Sequence, residues 1–236
     1  MYTFNSRIRY SELYETGHLR LEALLDYFQD CSTFQSEDLG IGVNYLLQHH
    51  MVWVMSYWQI VVKRYPVIGE KVIIGTAPYE FKGFLGFRNF WMEDEAGNKI
   101  ACANSLWSLL STQTNRPVKP EPEMLSGYQL EPKLDMEYAP RKIQLPENMQ
   151  QGEPIIIRKH HLDTNHHVNN GQFVRIALDC LNTIGNPSQL RVEYKKQVVL
   201  GDVLMPELAL TADHKRVIAL KNQDDEICCI VELQEG

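Results

Sequence analysis

Hydrophobic positions along this chain switch between a helical period and a strand period, and they do so twice. Leu21, Leu24, Leu25, Phe28 and Cys31 recur at helical spacing, as do Phe173, Ala177, Cys180, Leu181 and Ile184. Both runs carry apolar residues beyond one narrow stripe, which suits a helix enclosed on several sides. Gly185-Asn186-Pro187 predicts a stop for the second. After each helix come runs that read as strands: roughly 52–64, 71–81, 84–93 and 99–110 in the first half, with a turn at Asp94–Asn98, and roughly 190–199, 203–211, 215–221 and 226–233 in the second. Each half is therefore predicted to hold one strand, one long helix and a run of antiparallel strands. Residues 115–150 contain Pro117, Pro120, Pro122, Pro132, Pro140 and Pro146 and have little periodicity, so they read as a linker crossing the surface.

The two halves match residue by residue. At an offset of 149, Arg9 answers Arg158, His18-Leu19 answers His167-Val168, and Cys31 answers Cys180. Beyond the helices the offset becomes 132, where Val62–Glu70 parallels Tyr194–Asp202. The change leaves 17 extra residues in the first copy. They include Asn44–His50, in which His49-His50 reads as a solvated loop or partial lid. The chain is thus expected to contain repeats at 1–114 and 151–236 joined by the 115–150 linker.

Composition narrows the function classes. Of 236 residues 44% are hydrophobic, as in ordinary globular proteins. The net charge of −7 with no basic run argues against nucleic-acid binding. Residues 1–7 lack the apolar core of a signal peptide, and no apolar run approaches a membrane span. Five cysteines, an odd number in apolar surroundings and without CxxC spacing, suggest reduced, buried thiols in a cytoplasmic protein.

The densest chemistry lies in Asp163-Thr164-Asn165-His166-His167-Val168-Asn169-Asn170. Asp163, Asn165 and His167 recur every second residue, so an extended segment would project all three to one side. Asn169 and Gln172 have the spacing of a capping box at the start of the second helix, whose positive end would stabilise developing negative charge. With Asn169 as cap, the upstream trio has no structural job and reads as catalytic. His160, His161, His166 and His167 raise the question of a metal, but adjacent histidines on a strand diverge and no distant ligands are evident, so no metal or cofactor is expected. In the first half the equivalent positions are Tyr14, Thr16 and His18, a pattern that has lost chemistry and kept shape.

These motifs resemble the acyl-acyl-carrier-protein (acyl-ACP) thioesterases, plant plastid and bacterial. The resemblance runs through Trp53-Val54-Met55, Arg64-Tyr65-Pro66, Gly69-Glu70, Ala103–Trp107, Leu162–Asn170 and Glu193-Tyr194-Lys195-Lys196. With the repeat, it implies an α+β double hot-dog fold, two tandem repeats each with a long helix wrapped by an antiparallel sheet. It implies hydrolysis of fatty acyl-ACP to free fatty acid, with an acyl carrier protein bearing a fatty acyl chain as partner and the acyl chain held by the first repeat. Trp53, Trp58, Trp91 and Trp107 are then candidates for its tunnel or, more simply, for sheet core. Carried over by position, the catalytic set is Asp163, Asn165, His167 and Gln197. Gln197 stands where the family usually has Glu and Val198 where plant members often have Cys, so no covalent cysteine mechanism runs there. Direct attack by water follows, with His167 as general base and Asp163 orienting it, or Asp163 itself activating the water. Asn165 and Gln197 would position water or donate to the oxyanion, with backbone N–H groups near Asn169 and Asn170 completing the hole. Lys63, Arg64, Lys195 and Lys196 are candidate contacts for an acidic carrier, and equally for solvated strand charges. An acyl-CoA thioesterase and a noncatalytic acyl-binding protein are the alternatives, as a monomer or homodimer.

Overall fold

The computed structural model describes residues 1–181 and 185–235. Internal contacts divide the chain into two units, Met1–Ser56 with Val62–Tyr138, and Tyr57–Val61 with Ala139–Gly236. The first contains β1 (Tyr2–Arg7), α1 (Leu21–Asp38), α2 (Val43–Gln48), most of β2 (Met51–Val62), β3 (Lys71–Lys82), β4 (Leu85–Asp94), β5 (Lys99–Ser111) and the short α3 (Pro122–Leu125). Its strands lie in the order β1-β3-β4-β5-β2. Helix α1 packs on β1 and β3, with Leu21, Leu25 and Phe28 fully buried and Phe28 against Phe90 of β4 at 5.6 Å between ring centres.

Helix α1 continues beyond Cys31 because its buried face becomes polar without ending. Ser32 and Gln35 are buried there, Ser32 donates to the Gln29 carbonyl at 2.9 Å, and Gln35 accepts from Arg88 of β4. An apolar period cannot report such a face. The insert after α1 is partly helical: Glu37 caps α2 by accepting from the Val43 N–H at 2.7 Å, and His49 and His50 follow in an exposed turn, with His49 folded back on Tyr45. Since Phe90 faces α1, its neighbour Trp91 faces away. Trp91 lies opposite Gly75 in the ladder, where a Cβ would come within 2.1 Å of the indole, so the glycine provides the slot. Trp91 thus belongs to a cluster with Ala77 and Cys102 that linker residues Leu134 and Met136 cover.

The second unit contains β6 (Gln150–Gln151), β7 (Ile155–Ile156), α4 (Asn170–Asp179), β8 (Pro187–Tyr194), β9 (Val203–Leu210), β10 (Lys215–Lys221) and β11 (Ile227–Glu235). Strands β8-β11-β10-β9-β6 are in order, β7 pairs β9, and Tyr57–Val61 lies antiparallel on β8. Helix α4 packs on β10 and β11, burying Phe173, Val174, Ile176, Ala177 and Leu178. It stops at Asp179, well short of Gly185; Ile184, assigned to its period above, lies outside the described residues. Strand β8 stops at Tyr194 rather than 199 because the N–H groups of Lys195 and Lys196 both turn onto the Cys228 carbonyl, at 2.8 and 3.1 Å. The first unit repeats this device: Lys63 and Arg64 both reach the Ile100 carbonyl, at 2.8 and 3.2 Å. Two N–H groups on one acceptor bulge the strand and end its pairing.

The linker does more than cross the surface. Met124 and Ile143 within it are buried. Ile143, Leu145 and Met149 pack on Val217, Ile227 and Ile230, while Asn89 accepts from the Leu134 N–H and the Tyr138 hydroxyl at 3.1 and 3.0 Å. Among the described residues no helix is long and apolar enough to cross a membrane.

Candidate active site

The Asp163–His167 segment is a tight turn, not an extended strand. The Asp163 N–H donates to the His167 carbonyl at 2.8 Å, and the His166 N–H to the Asp163 carbonyl at 3.1 Å. One Asp163 oxygen, Oδ1, accepts the N–H of Asn165 at 2.8 Å and of His167 at 3.2 Å. Asp163 therefore has a structural job that cap placement alone did not reveal: it is the acceptor around which the turn closes. The turn also requires a left-handed residue, His166 at φ 62°.

The flanks fix the turn in place. Leu162 bridges Val168, and His167 bridges Val199; the Val168 N–H donates to the Val198 carbonyl at 2.9 Å. That pairing draws the Gln197 backbone beside the turn. Asn169 caps α4 by accepting from the Gly171 N–H at 2.8 Å, the second helical position, and its own N–H donates to the His161 carbonyl at 2.9 Å. The Asn169 N–H, one of the two backbone donors expected in the oxyanion hole, is thus already used within the scaffold. The side-chain amides of Asn165 and Gln197, both solvent-exposed, are further donors from the candidate set. Asp163 and His167 are half-buried. The turn brings Asp163, Asn165 and His167 together through the backbone, and among the described residues no side-chain–side-chain hydrogen bond joins any two of the four candidates. His160 and His161 sit in a one-turn 3-10 helix, Lys159–His161, rather than diverging along a strand.

The first unit reproduces this scaffold bond for bond. Tyr14 N–H to His18 carbonyl, Gly17 N–H to Tyr14 carbonyl and Leu19 N–H to Pro66 carbonyl are each 2.9 Å, and His18 bridges Val67. Gly17 takes the left-handed position at φ 81°. Its side chains differ: Tyr14 donates at 3.0 Å to Glu22, a buried residue that also faces Arg20 at 3.5 Å. Burial first, and then Glu22, push the Tyr14 hydroxyl above the usual phenol range, so it stays a neutral donor. Glu22 had no signal in the sequence reading, because its equivalent is Gly171.

Thiol chemistry is disfavoured. Burial pushes the Cys31 thiol up to about 12 and Cys180 to about 11, and all five cysteines are unpaired. The cations suggested for carrier contact are mostly committed: Lys195 pairs with Glu193 at 2.7 Å, Lys196 with Glu226, and Arg64 with Glu70 at 2.5 Å.

Comparison with known proteins decides the family. The acyl-ACP thioesterase N-terminal domain model matches residues 1–128 and the C-terminal domain model residues 146–232. The chain belongs to the acyl-ACP thioesterase family. It is 24% identical over 212 residues to the chloroplastic acyl-acyl-carrier-protein hydrolase FATB1 of Cuphea viscosissima, covering 81% of this chain and 50% of that one. It thus spans about half the length of the curated relatives it matches. Among solved structures, an acyl-ACP thioesterase from Bacteroides thetaiotaomicron superposes with TM-score 0.90 at 21% identity, over 98% of this chain and 96% of that one. The 12:0-ACP thioesterase of Umbellularia californica gives 0.82 at 18%, with the same coverage. These likenesses establish the double hot-dog fold.

Proposed function

We propose that this chain hydrolyses fatty acyl-ACP thioesters to free fatty acid and carrier by direct attack of water. His167 is the general base, and Asp163 holds the turn that carries it and supplies charge to the imidazolium, or activates the water itself. Asn165 and Gln197 position water or donate to the oxyanion. The first repeat, 1–114, holds the acyl chain, and the last, 151–236, carries the chemistry. The observation that carries this reading is the duplicated turn: two loops share one hydrogen-bond pattern, and only the second bears an acid, an amide and an imidazole. Five unpaired thiols agree with a reducing compartment such as the cytoplasm.

The test is thiol release from matched acyl-ACP and acyl-CoA series by wild type and His167→Ala. Carrier-linked turnover that falls by roughly 10²- to 10⁴-fold in the variant is expected for a general base. Faster turnover of the CoA series would transfer the reading to an acyl-CoA thioesterase. Tight acyl-thioester binding without turnover by either protein would leave a noncatalytic binding protein.

A further inference from the structure

The two repeats carry opposite charge on the same scaffold. Beside the turn of the second repeat stand Arg158, Lys159 and Arg175, all solvent-exposed, and among the described residues none is in an ion pair. They are neighbours because the Asn169 N–H ties the start of α4 to His161 at 2.9 Å, and the Arg158 N–H donates to His161 Nδ1 at 3.1 Å. The His160 and His161 rings lie 4.1 Å apart in the same turn. Burial first, and then His160, Arg175 and Arg158, hold the His161 imidazole below the ordinary histidine range, as a ring surrounded by positive charge must be. Asp179 of α4 acts in the opposite direction.

At the same positions the first repeat has Arg9, Tyr10 and Asp26, with Glu12 for His161 and Asp30 for Asp179. Glu22 adds another carboxylate, and Arg20 one cation. Loss of hydration first, and then Asp30 and Glu22, push the carboxyl of Asp26 up to about 6. The duplicated scaffold does not require all three cations, since the first copy keeps only Arg9 of them and has Tyr10 and Asp26 at the other two positions. A chain of net charge −7 repels an acidic partner at long range unless a local positive surface steers it.

We propose that Arg158, Lys159 and Arg175 form the docking face for an acidic carrier domain, placing its thioester beside the Asp163–His167 turn. This rests on the thioesterase reading for its partner. The test compares wild type, the Arg158→Glu/Lys159→Glu/Arg175→Glu variant and a control reversal at exposed Lys82. Each is assayed on an acyl carrier protein and on the same acyl group linked to free pantetheine, at low and high salt, with fluorescence anisotropy of a labelled carrier alongside. The expected result is a KM for the carrier substrate, and a Kd for the carrier, raised roughly tenfold or more at low salt in the triple variant. Added salt narrows that gap, and the pantetheine rate and Lys82→Glu stay at wild type. Unchanged carrier affinity, equal losses on both substrates, or an equal loss in Lys82→Glu would overturn the proposal. Absence of turnover on both substrates in wild type would instead sink the thioesterase reading, while anisotropy still decides the docking face.

Discussion

Asp163 joins turn formation and candidate chemistry in one side chain, and two substitutions separate them. Asparagine keeps an Oδ1 that accepts the N–H groups of Asn165 and His167, but not the charge. Asp163→Asn is therefore expected to keep the wild-type melting temperature while losing roughly 10²-fold or more in turnover. Asp163→Ala loses the acceptor as well and should cost about 1–2 kcal/mol of stability in addition. Activity intact in Asp163→Asn would reduce Asp163 to a turn former and leave His167 as the only base. His166 offers a second check, since its φ of 62° is the conformation Gly17 adopts freely in the first repeat. His166→Gly should be neutral or stabilising by up to about 1 kcal/mol, whereas a β-branched residue there should be plainly destabilising, as thermal denaturation would show. The site residues were legible as a set because polar types crowd into eight positions. Their geometry was not: period-two spacing fits a strand as well as a turn, and a histidine in the left-handed region leaves no mark such as glycine would.

At the level of single elements, α1 and β4 meet through a buried cation. Arg88 is buried; it donates to Gln35 and, at 3.1 Å, to Thr76, and its guanidinium lies 5.4 Å from the centre of the Tyr128 ring. Among the described residues no carboxylate pairs with it, and burial lowers its affinity for the proton. The interior of the first unit thus has a polar end. Gln35→Leu would deprive a buried charge of an acceptor and should cost about 1–3 kcal/mol. Arg88→Met replaces the charge with an apolar chain of similar reach and should cost less, because an unpaired ion no longer has to be desolvated. Chemical denaturation of both variants tests this order; a costlier Arg88→Met would mean that the guanidinium's bonds outweigh its burial. The helix start was readable from Leu21 onward, whereas its last two turns were not, since Ser32 and Gln35 are buried through hydrogen bonds rather than hydrophobicity. Strand ends failed for a related reason: Val198 and Val199 look like strand, but the double N–H contact on Cys228 has already ended the ladder.

Across the whole molecule, duplication was legible and the linker's role was not, because its anchors are scattered apolar side chains and single polar bonds with no period. In the second unit, buried Arg191 pairs with Glu232 at 2.7 Å and donates to the linker carbonyls of Pro140 and, at 3.2 Å, Lys142. Glu193 accepts the Ile143 N–H at 3.0 Å. Removing one partner leaves the other charge buried and alone, so Arg191→Met should cost about 3–5 kcal/mol, and adding Glu232→Leu should recover most of it. The recovered double variant still lacks donors for the two carbonyls, and this separates fold stability from linker attachment. Limited proteolysis should then find new cleavage near residues 139–143 in a protein whose melting temperature is close to wild type. Continued protection of that segment would show that Ile143, Leu145 and Met149, packed on β10 and β11, hold the linker without the arginine. In that case the buried ion pair would serve the sheet alone.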